Sequence, residues 1–307
     1  MRTDFYYPSC GAGQIHGCRW APPGAVRGVV QIVHGIAEHV ERYDDFAEYL
    51  NVRGYLVVAE DHMGHGQSIG KTGTRGYFDG GWDDAVRDTA ELTRRTMEEF
   101  PGLPYFIFGH SMGSFLTRTL LIRYPEWNFA GAIICGTGWQ PIPKLKLGWL
   151  SCRAAARKVG EKNPSEKLQE LVFGGYNRRV EHRRTEFDWL TRDSRQVDRY
   201  IADPMCGFVA SSGLLRDMLG GMLYNEKKEN LARMNRKLPV LFVAGSDDPV
   251  GNYGEGVRRT AKAFREAGME QVRLKLFPLG RHEILNEINR EEVFEFLFRW
   301  IESIRTK

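Results

Sequence analysis

Cysteine is scarce in this chain and falls into no pattern. Five residues, Cys10, Cys18, Cys135, Cys152 and Cys206, make an odd count with no C-x-x-C spacing. That argues against a disulfide framework, Cys10 and Cys18 included, and scattered thiols fit a reducing, cytoplasmic compartment. Long apolar runs are missing too: none approaches the ~18 residues that span a bilayer. The opening stretch carries Asp4, Pro8, Gly11, Gly13, Gln14 and His16 and has no apolar signal region. Charge of one sign is also lacking. Lys and Arg total 43 against 39 Asp and Glu, a net +4 over 307 residues, too weak a bias to imply nucleic acid. Gly11, Gly13 and Gly17 do not make G-x-G-x-x-G, so no dinucleotide site is implied. No internal repeat or low-complexity linker is found.

What remains is an ordinary globular composition, 42% hydrophobic and 27% charged. Residues 3–9 and Gln14–Trp20 flank the turn Cys10-Gly11-Ala12-Gly13 and predict a β-hairpin. Residues 27–34 contain Gly28-Val29-Val30-Gln31-Ile32-Val33, apolar without alternation, as expected of a strand buried on both faces. Helix and strand then alternate: a helix over 41–53, strand Tyr55–Glu60, a helix over 82–100, a strand over 105–109, a helix over 111–124 and a strand over 129–135. The 82–100 helix shows an apolar stripe of Trp82, Val86, Ala90, Thr93, Met97 and Phe100. Its expected wet face is Asp83, Asp84, Arg87, Asp88, Glu91, Arg94 and Glu98. The rhythm breaks between 137 and 237 and resumes with a strand over 239–245, a helix over 253–267, a strand over 271–277 and a helix over 291–304. The pattern predicts an α/β fold: a mostly parallel, eight-stranded sheet with helices on both faces. Residues 1–136 and 238–307 would form this core, and 137–237 an inserted helical cap.

Gly109-His110-Ser111-Met112-Gly113 fits the nucleophile pattern G-x-S-x-G. The bare pattern is weak, but its setting strengthens it. Tyr105-Phe106-Ile107-Phe108 reads as a strand directly before, and a helix follows directly after. A sharp strand-to-helix turn strains the serine backbone and projects its hydroxyl into a cleft. Gly109 and Gly113 omit side chains that would collide there. The helix N-terminus places a positive dipole where an oxyanion would form.

A nucleophilic serine needs a base, and the base needs an orienting carboxylate, in the chain order Ser, Asp or Glu, His. Two histidines follow Ser111. His182 lies in a charged run, 178–199, that reads as a solvated face. His282 lies past the 271–277 strand, in a loop at the carboxyl edge of the sheet, and is the expected base. The 239–245 strand ends in Ser246-Asp247-Asp248-Pro249. Pro249 stiffens Asp248 in an extended turn, so Asp248 is favoured as the acid, with Asp247 a loop-bonding neighbour. The expected oxyanion donors are the backbone N–H groups of Ile36, after Gly35, and of Met112. Each is worth on the order of 3 kcal/mol.

Four motifs now stand in order. His34-Gly35-Ile36-Ala37-Glu38-His39-Val40-Glu41-Arg42-Tyr43 is similar to H-G-x-x-E-H-x-x-R-Y, and Asp61-His62-Met63-Gly64-His65-Gly66-Gln67-Ser68 to D-x-x-G-H-G-x-S. The elbow matches G-H-S-M-G, and Gly245-Ser246-Asp247-Asp248 matches G-x-x-D, which also selects Asp248. Together they resemble the monoglyceride lipase and lysophospholipase branch of the α/β-hydrolases, catalogued near the S33 serine aminopeptidases. The resemblance covers nearly the whole core. It implies a cofactor-free serine ester hydrolase, and it places Glu38 and Arg42 near the polar end of the substrate. Where some relatives carry a second histidine, three residues after the first, this chain has Leu285. The cap shows no clear match to eukaryotic lipase lids.

Asp61, His62 and His65 sit in a glycine-rich loop without helical spacing, and no H-E-x-x-H occurs, so they read as structural and no metal is expected. The cap is rich in large apolar residues, including Leu214, Leu215, Met218, Leu219, Met222 and Leu223. Most are expected to pack on the sheet and a minority to line an acyl tunnel. The expected substrate is a monoacyl lipid or a similar small-molecule ester, with a transient membrane or micelle contact through the cap left open. The alternatives are a general short-chain carboxylesterase and an aminopeptidase of the same fold. In a different class stands a non-catalytic ligand receptor, which the complete triad argues against. Oligomeric state is not legible.

Overall fold

The chain begins with a hairpin of β1 (Arg2–Pro8) and β2 (Gln14–Trp20), followed by β3 (Gly28–Val33), a 3-10 turn (Val40–Tyr43), α1 (Asp44–Asn51) and β4 (Tyr55–Glu60). Then come α2 (Gly81–Glu99), β5 (Tyr105–His110), α3 (Met112–Arg123) and β6 (Gly131–Cys135). Five helices follow without a strand: α4 (Ile142–Val159), α5 (Glu166–Phe173), α6 (Ser194–Ala202), α7 (Ser212–Asn225) and α8 (Lys228–Leu231). The alternation returns with β7 (Val240–Gly245), α9 (Glu255–Glu266), β8 (Val272–Phe277) and α10 (Arg290–Arg305). This computed structural model describes residues 1–70 and 73–306.

The eight strands form one sheet in the order β1-β2-β4-β3-β5-β6-β7-β8. β1 pairs with β2, and β2 with β4, antiparallel; every other pair is parallel. This is the α/β-hydrolase fold. β3 to β7 are buried at every position, which explains their unbroken apolar sequences. Alternate residues serve opposite layers. Val29 and Val33 of β3 pack in the layer of α2, α3 and α9, while Val30 and Ile32 pack in the layer of α1 and α10. β3 lies between β4 and β5, so the chain leaves it in opposite directions. The carboxyl ends of β3 and β5 mark this switch point, where α/β proteins place their sites.

Two expectations need correction. The 41–53 helix starts later, at Asp44, because a 3-10 turn precedes it. On α2 the charged face is not uniformly wet: Asp84 and Asp88 are buried. Asp88 accepts from the Cys10 N–H at 2.6 Å and the Ser9 hydroxyl at 2.8 Å, so the hairpin turn rests on this helix. Burial, with the nearby Glu60 charge, pushes the Asp88 carboxyl up to about 6.

α7 packs tightly on α2 and α3. A Cβ at Gly221 would collide with the Trp82 indole. Buried polar links join the same helices: Thr119 donates to Asn225 Oδ1 at 2.9 Å, and Arg118 meets Glu226 at 2.8 Å. Among the described residues no helix is long and apolar enough to cross a membrane.

Candidate active site

Ser111 stands between β5 and α3 with φ 52° and ψ −120°, a strained setting that costs on the order of 1–3 kcal/mol. Its N–H donates to the Cys135 carbonyl at 3.0 Å, and its own carbonyl accepts from the Ser114 hydroxyl at 2.6 Å. The turn tolerates only glycine on its flanks. A Cβ at Gly113 would collide with the Val33 and His34 carbonyls, and one at Gly109 with Thr117. The serine is half-buried at the switch point, at the N-terminus of α3.

Asp248 and His282 meet each other at the carboxyl edge of the sheet that also carries Ser111, each on the loop after a neighbouring strand. Asp248 is fully buried, and its Oδ1 accepts from His282 Nδ1 at 3.0 Å and from the Val250 N–H at 2.9 Å. With Nδ1–H committed to the carboxylate, Nε2 is left as the basic nitrogen. Asp247 is exposed and accepts from the Ser246 hydroxyl at 3.1 Å. The His282 ring lies between His110, with centroids 4.8 Å apart, and Trp189, 5.1 Å apart. Gly136 gives it room, since a Cβ there would come within 3.0 Å of His282 Cε1.

The Met112 N–H follows the serine at the start of α3, and Ile36 follows Gly35, which packs against the Ser111 side chain. Among the described residues, neither N–H donates to another backbone carbonyl outside the regular elements. Glu38 organises the loop after β3. It is buried and accepts from the Gly35 N–H at 2.6 Å, the Tyr43 hydroxyl at 2.9 Å, His110 Nδ1 at 3.1 Å and Arg42 at 3.0 Å. Burial alone would raise its carboxyl. The His110 hydrogen bond and the His110 and Arg42 charges outweigh that and hold it well below the usual range. Burial would likewise lower His110, but Glu38 holds it above its ordinary value. Arg42 also grips Glu283 with a second nitrogen at 2.7 Å. The cavity these residues line measures about 10 Å³, room for a water molecule and no headgroup. The polar atoms of Glu38 and Arg42 are thus engaged inside the protein.

The 137–237 segment packs on the loop after β3 and on the loop that carries His282. The Ala37 carbonyl accepts from the Tyr200 hydroxyl at 2.9 Å and the Gly207 N–H at 3.0 Å, and Ala37 itself has φ 56°. His182 is exposed, as expected, but the 178–199 run is not simply a solvated face. Asp188 is buried, Arg281 donates to the Asp188 and Thr191 carbonyls, and Glu283 N–H donates to the Leu190 carbonyl at 2.7 Å. Sequence reasoning missed His110, Tyr43, Glu283, Trp189 and Tyr200. The first three lie within or beside the motifs and were legible there as polar neighbours. The two cap residues carried no local signal.

His62 and His65 are buried and face loop carbonyls, those of His34 at 3.1 Å and Met63 at 3.2 Å. Burial and the neighbouring His62 hold His65 down at about 3, hence neutral.

With this geometry in view, residues 24–289 match the family model described as serine aminopeptidase, S33. The chain belongs to that family. It is 29% identical to a monoacylglycerol lipase of Mycolicibacterium smegmatis over 98% of both chains. It is also 29% identical to the monoglyceride lipase of Mus musculus, over 90% of this chain and 86% of that one. Among solved structures it is similar to a thermostable carboxyl esterase from Bacillus coagulans in complex with glycerol. That match has a TM-score of 0.91 and 29% identity, and covers 99% of each chain.

Proposed function

We propose that this chain is a serine carboxylic ester hydrolase that cleaves monoacyl esters, of the monoacylglycerol lipase or lysophospholipase kind, through an acyl-enzyme on Ser111. The observation that carries this is the 3.0 Å Asp248–His282 hydrogen bond, set at the sheet edge that also carries a strained serine on a helix N-terminus. The relatives named monoacylglycerol lipase and the esterase solved with glycerol support the substrate class.

In this scheme Ser111 Oγ attacks the ester carbonyl as His282 Nε2 takes its proton, while Asp248 holds the ring and balances the imidazolium. The tetrahedral oxyanion accepts from the Ile36 and Met112 N–H groups. His282 returns the proton to the departing alcohol. Water, activated by the same imidazole, then frees the fatty acid and regenerates Ser111. Glu38 and Arg42 act on this step through the oxyanion loop, which Glu38 holds at Gly35.

Residues 137–237 act as the cap. α4 supports a transient lipid contact: Ile142, Leu147 and Leu150 are exposed beside Lys144, Lys146, Arg153, Arg157 and Lys158, with no acidic residue on the helix. Five free thiols fit a cytoplasmic setting.

The test is a panel of nitrophenyl esters of graded acyl length, monoacylglycerols and aminoacyl nitroanilides, each with the wild type and Ser111→Ala. Monoacyl esters should turn over, with a chain-length optimum, and the variant should be inactive. Hydrolysis confined to the aminoacyl substrates would overturn the proposal.

A further inference from the structure

Away from the catalytic residues, the N-terminal hairpin gathers an aspartate, a histidine and a cysteine. Asp4 and Cys18 are direct cross-strand partners in the β1–β2 register, and His16 lies two residues before Cys18 on the same face. Three side-chain atoms, Asp4 Oδ1, His16 Nε2 and Cys18 Sγ, lie within 4.8 Å of one another. Their separations are 3.0 Å for oxygen to sulfur, 3.5 Å for nitrogen to oxygen and 3.9 Å for nitrogen to sulfur. A tetrahedral zinc ion with ordinary bond lengths sets donor atoms about 3.4–3.6 Å apart. Each separation falls close to that range, so small side-chain shifts suffice to close the three donors on one ion.

A second observation concerns the other face of the histidine. His16 Nδ1 hydrogen-bonds to Asp61 Oδ2 at 2.8 Å, and both side chains are buried. This is the carboxylate–histidine arrangement that orients metal-bound imidazoles: it commits Nδ1–H to the carboxylate and turns a basic Nε2 toward Asp4 and Cys18. Asp61 is itself fixed, accepting from the Val40 N–H at 3.0 Å and the Gln67 N–H at 2.9 Å. His16 and Cys18 are fully buried, whereas the Asp4 side chain is about half exposed. The cluster therefore opens to solvent on the Asp4 side, the side from which a fourth ligand would come. Among the described residues the competing cation is Arg2, 3.8 Å from Asp4, and its guanidinium is already paired with Glu41 and Asp44.

We propose that Asp4, His16 and Cys18 form a binding site for a thiophilic divalent cation of the zinc class, oriented by Asp61. On binding, the Cys18 S–H bond breaks and its proton leaves to water. Thiolate and the Asp4 carboxylate then neutralise the two positive charges of the ion, so the ion with its three protein ligands carries no net charge. The site owes nothing to the ester chemistry proposed above, and its test does not read activity. No local motif announces it, because the ligands come from opposite strands of a hairpin rather than from a C-x-x-C or H-E-x-x-H run.

The experiment adds Co²⁺ to the full-length, reduced, metal-free protein and follows thiolate-to-cobalt charge-transfer absorption, then displaces the cobalt with Zn²⁺. The expected result is one equivalent bound with a thiolate band. That band should be lost in Cys18→Ser and kept in Cys206→Ser, whose thiol belongs to a separate cluster with His39 and Asp203. Asp4→Asn, a change on the exposed strand face that leaves the fold intact, should keep the band but weaken affinity about tenfold or more. No thiolate band in the wild type overturns the site. So does a band that survives Cys18→Ser, or an affinity unchanged in Asp4→Asn.

Discussion

The Glu38 carboxylate touches Gly35, Tyr43, His110 and Arg42 at once, and through Gly35 it sets the loop that presents the Ile36 N–H. It is a positioning residue, reaching the oxyanion only through backbone. Replacing it with glutamine keeps the shape but leaves the buried His110 without its counter-ion and Arg42 with Glu283 alone, a cost of about 3 kcal/mol. Glu38→Gln is expected to lower kcat about tenfold to a hundredfold with little change in KM, because the loss falls on transition-state stabilisation. Steady-state kinetics on a nitrophenyl ester check this. His110 supplies a pH signature. Its folded-state value is raised by Glu38 against the lowering effect of burial, so its stabilisation is fully present below its unfolded value and fades as pH rises through the folded one. The melting-temperature advantage of wild type over His110→Gln should be greatest near about pH 6 and shrink steadily toward alkaline pH. A gap that widens above neutrality would show that the Glu38–His110 pair is not what His110 contributes.

At the scale of elements, α6 and the segment joining it to α7 are clamped to the loop after β3. The Tyr200 hydroxyl and the Gly207 N–H both donate to the Ala37 carbonyl. Tyr200→Phe removes one donor while the Gly207 bond persists. It should cost about 1 kcal/mol of stability and lower kcat several-fold, measured by thermal melts and kinetics side by side. Full activity in a destabilised variant would mean the contact holds the cap without tuning the loop. The same elements show what a sequence can reveal. β3 to β7 were readable because strands buried on both faces must be apolar throughout. The Ser111 elbow was readable because its glycines answer a steric demand within five residues. α2 was misread at Asp84 and Asp88, because the layer that buries them, the hairpin turn, comes from some 80 residues away in the chain. The 178–199 run was misread for the same reason: Asp188 and Thr191 meet Arg281, a contact that no periodicity records.

For the whole molecule, the chain order Ser111, Asp248, His282 becomes one place only because parallel strands put all three loops on the same edge of the sheet. The 137–237 insertion enters between β6 and β7 and brings Trp189 against His282 and Tyr200 against the Ala37 carbonyl. Stability and catalysis therefore share residues. The central claim is that His282 and Asp248 activate Ser111 as the nucleophile, and covalent labelling tests it most directly. The protein is treated with a fluorophosphonate, digested, and the adduct located by mass spectrometry, with Ser111→Ala and Asp248→Asn run in parallel. The account predicts a single adduct on the peptide carrying Ser111, absent in Ser111→Ala, and ester turnover in Asp248→Asn lowered about ten-thousand-fold. An adduct on another residue, or ester hydrolysis that persists in Ser111→Ala, would contradict it.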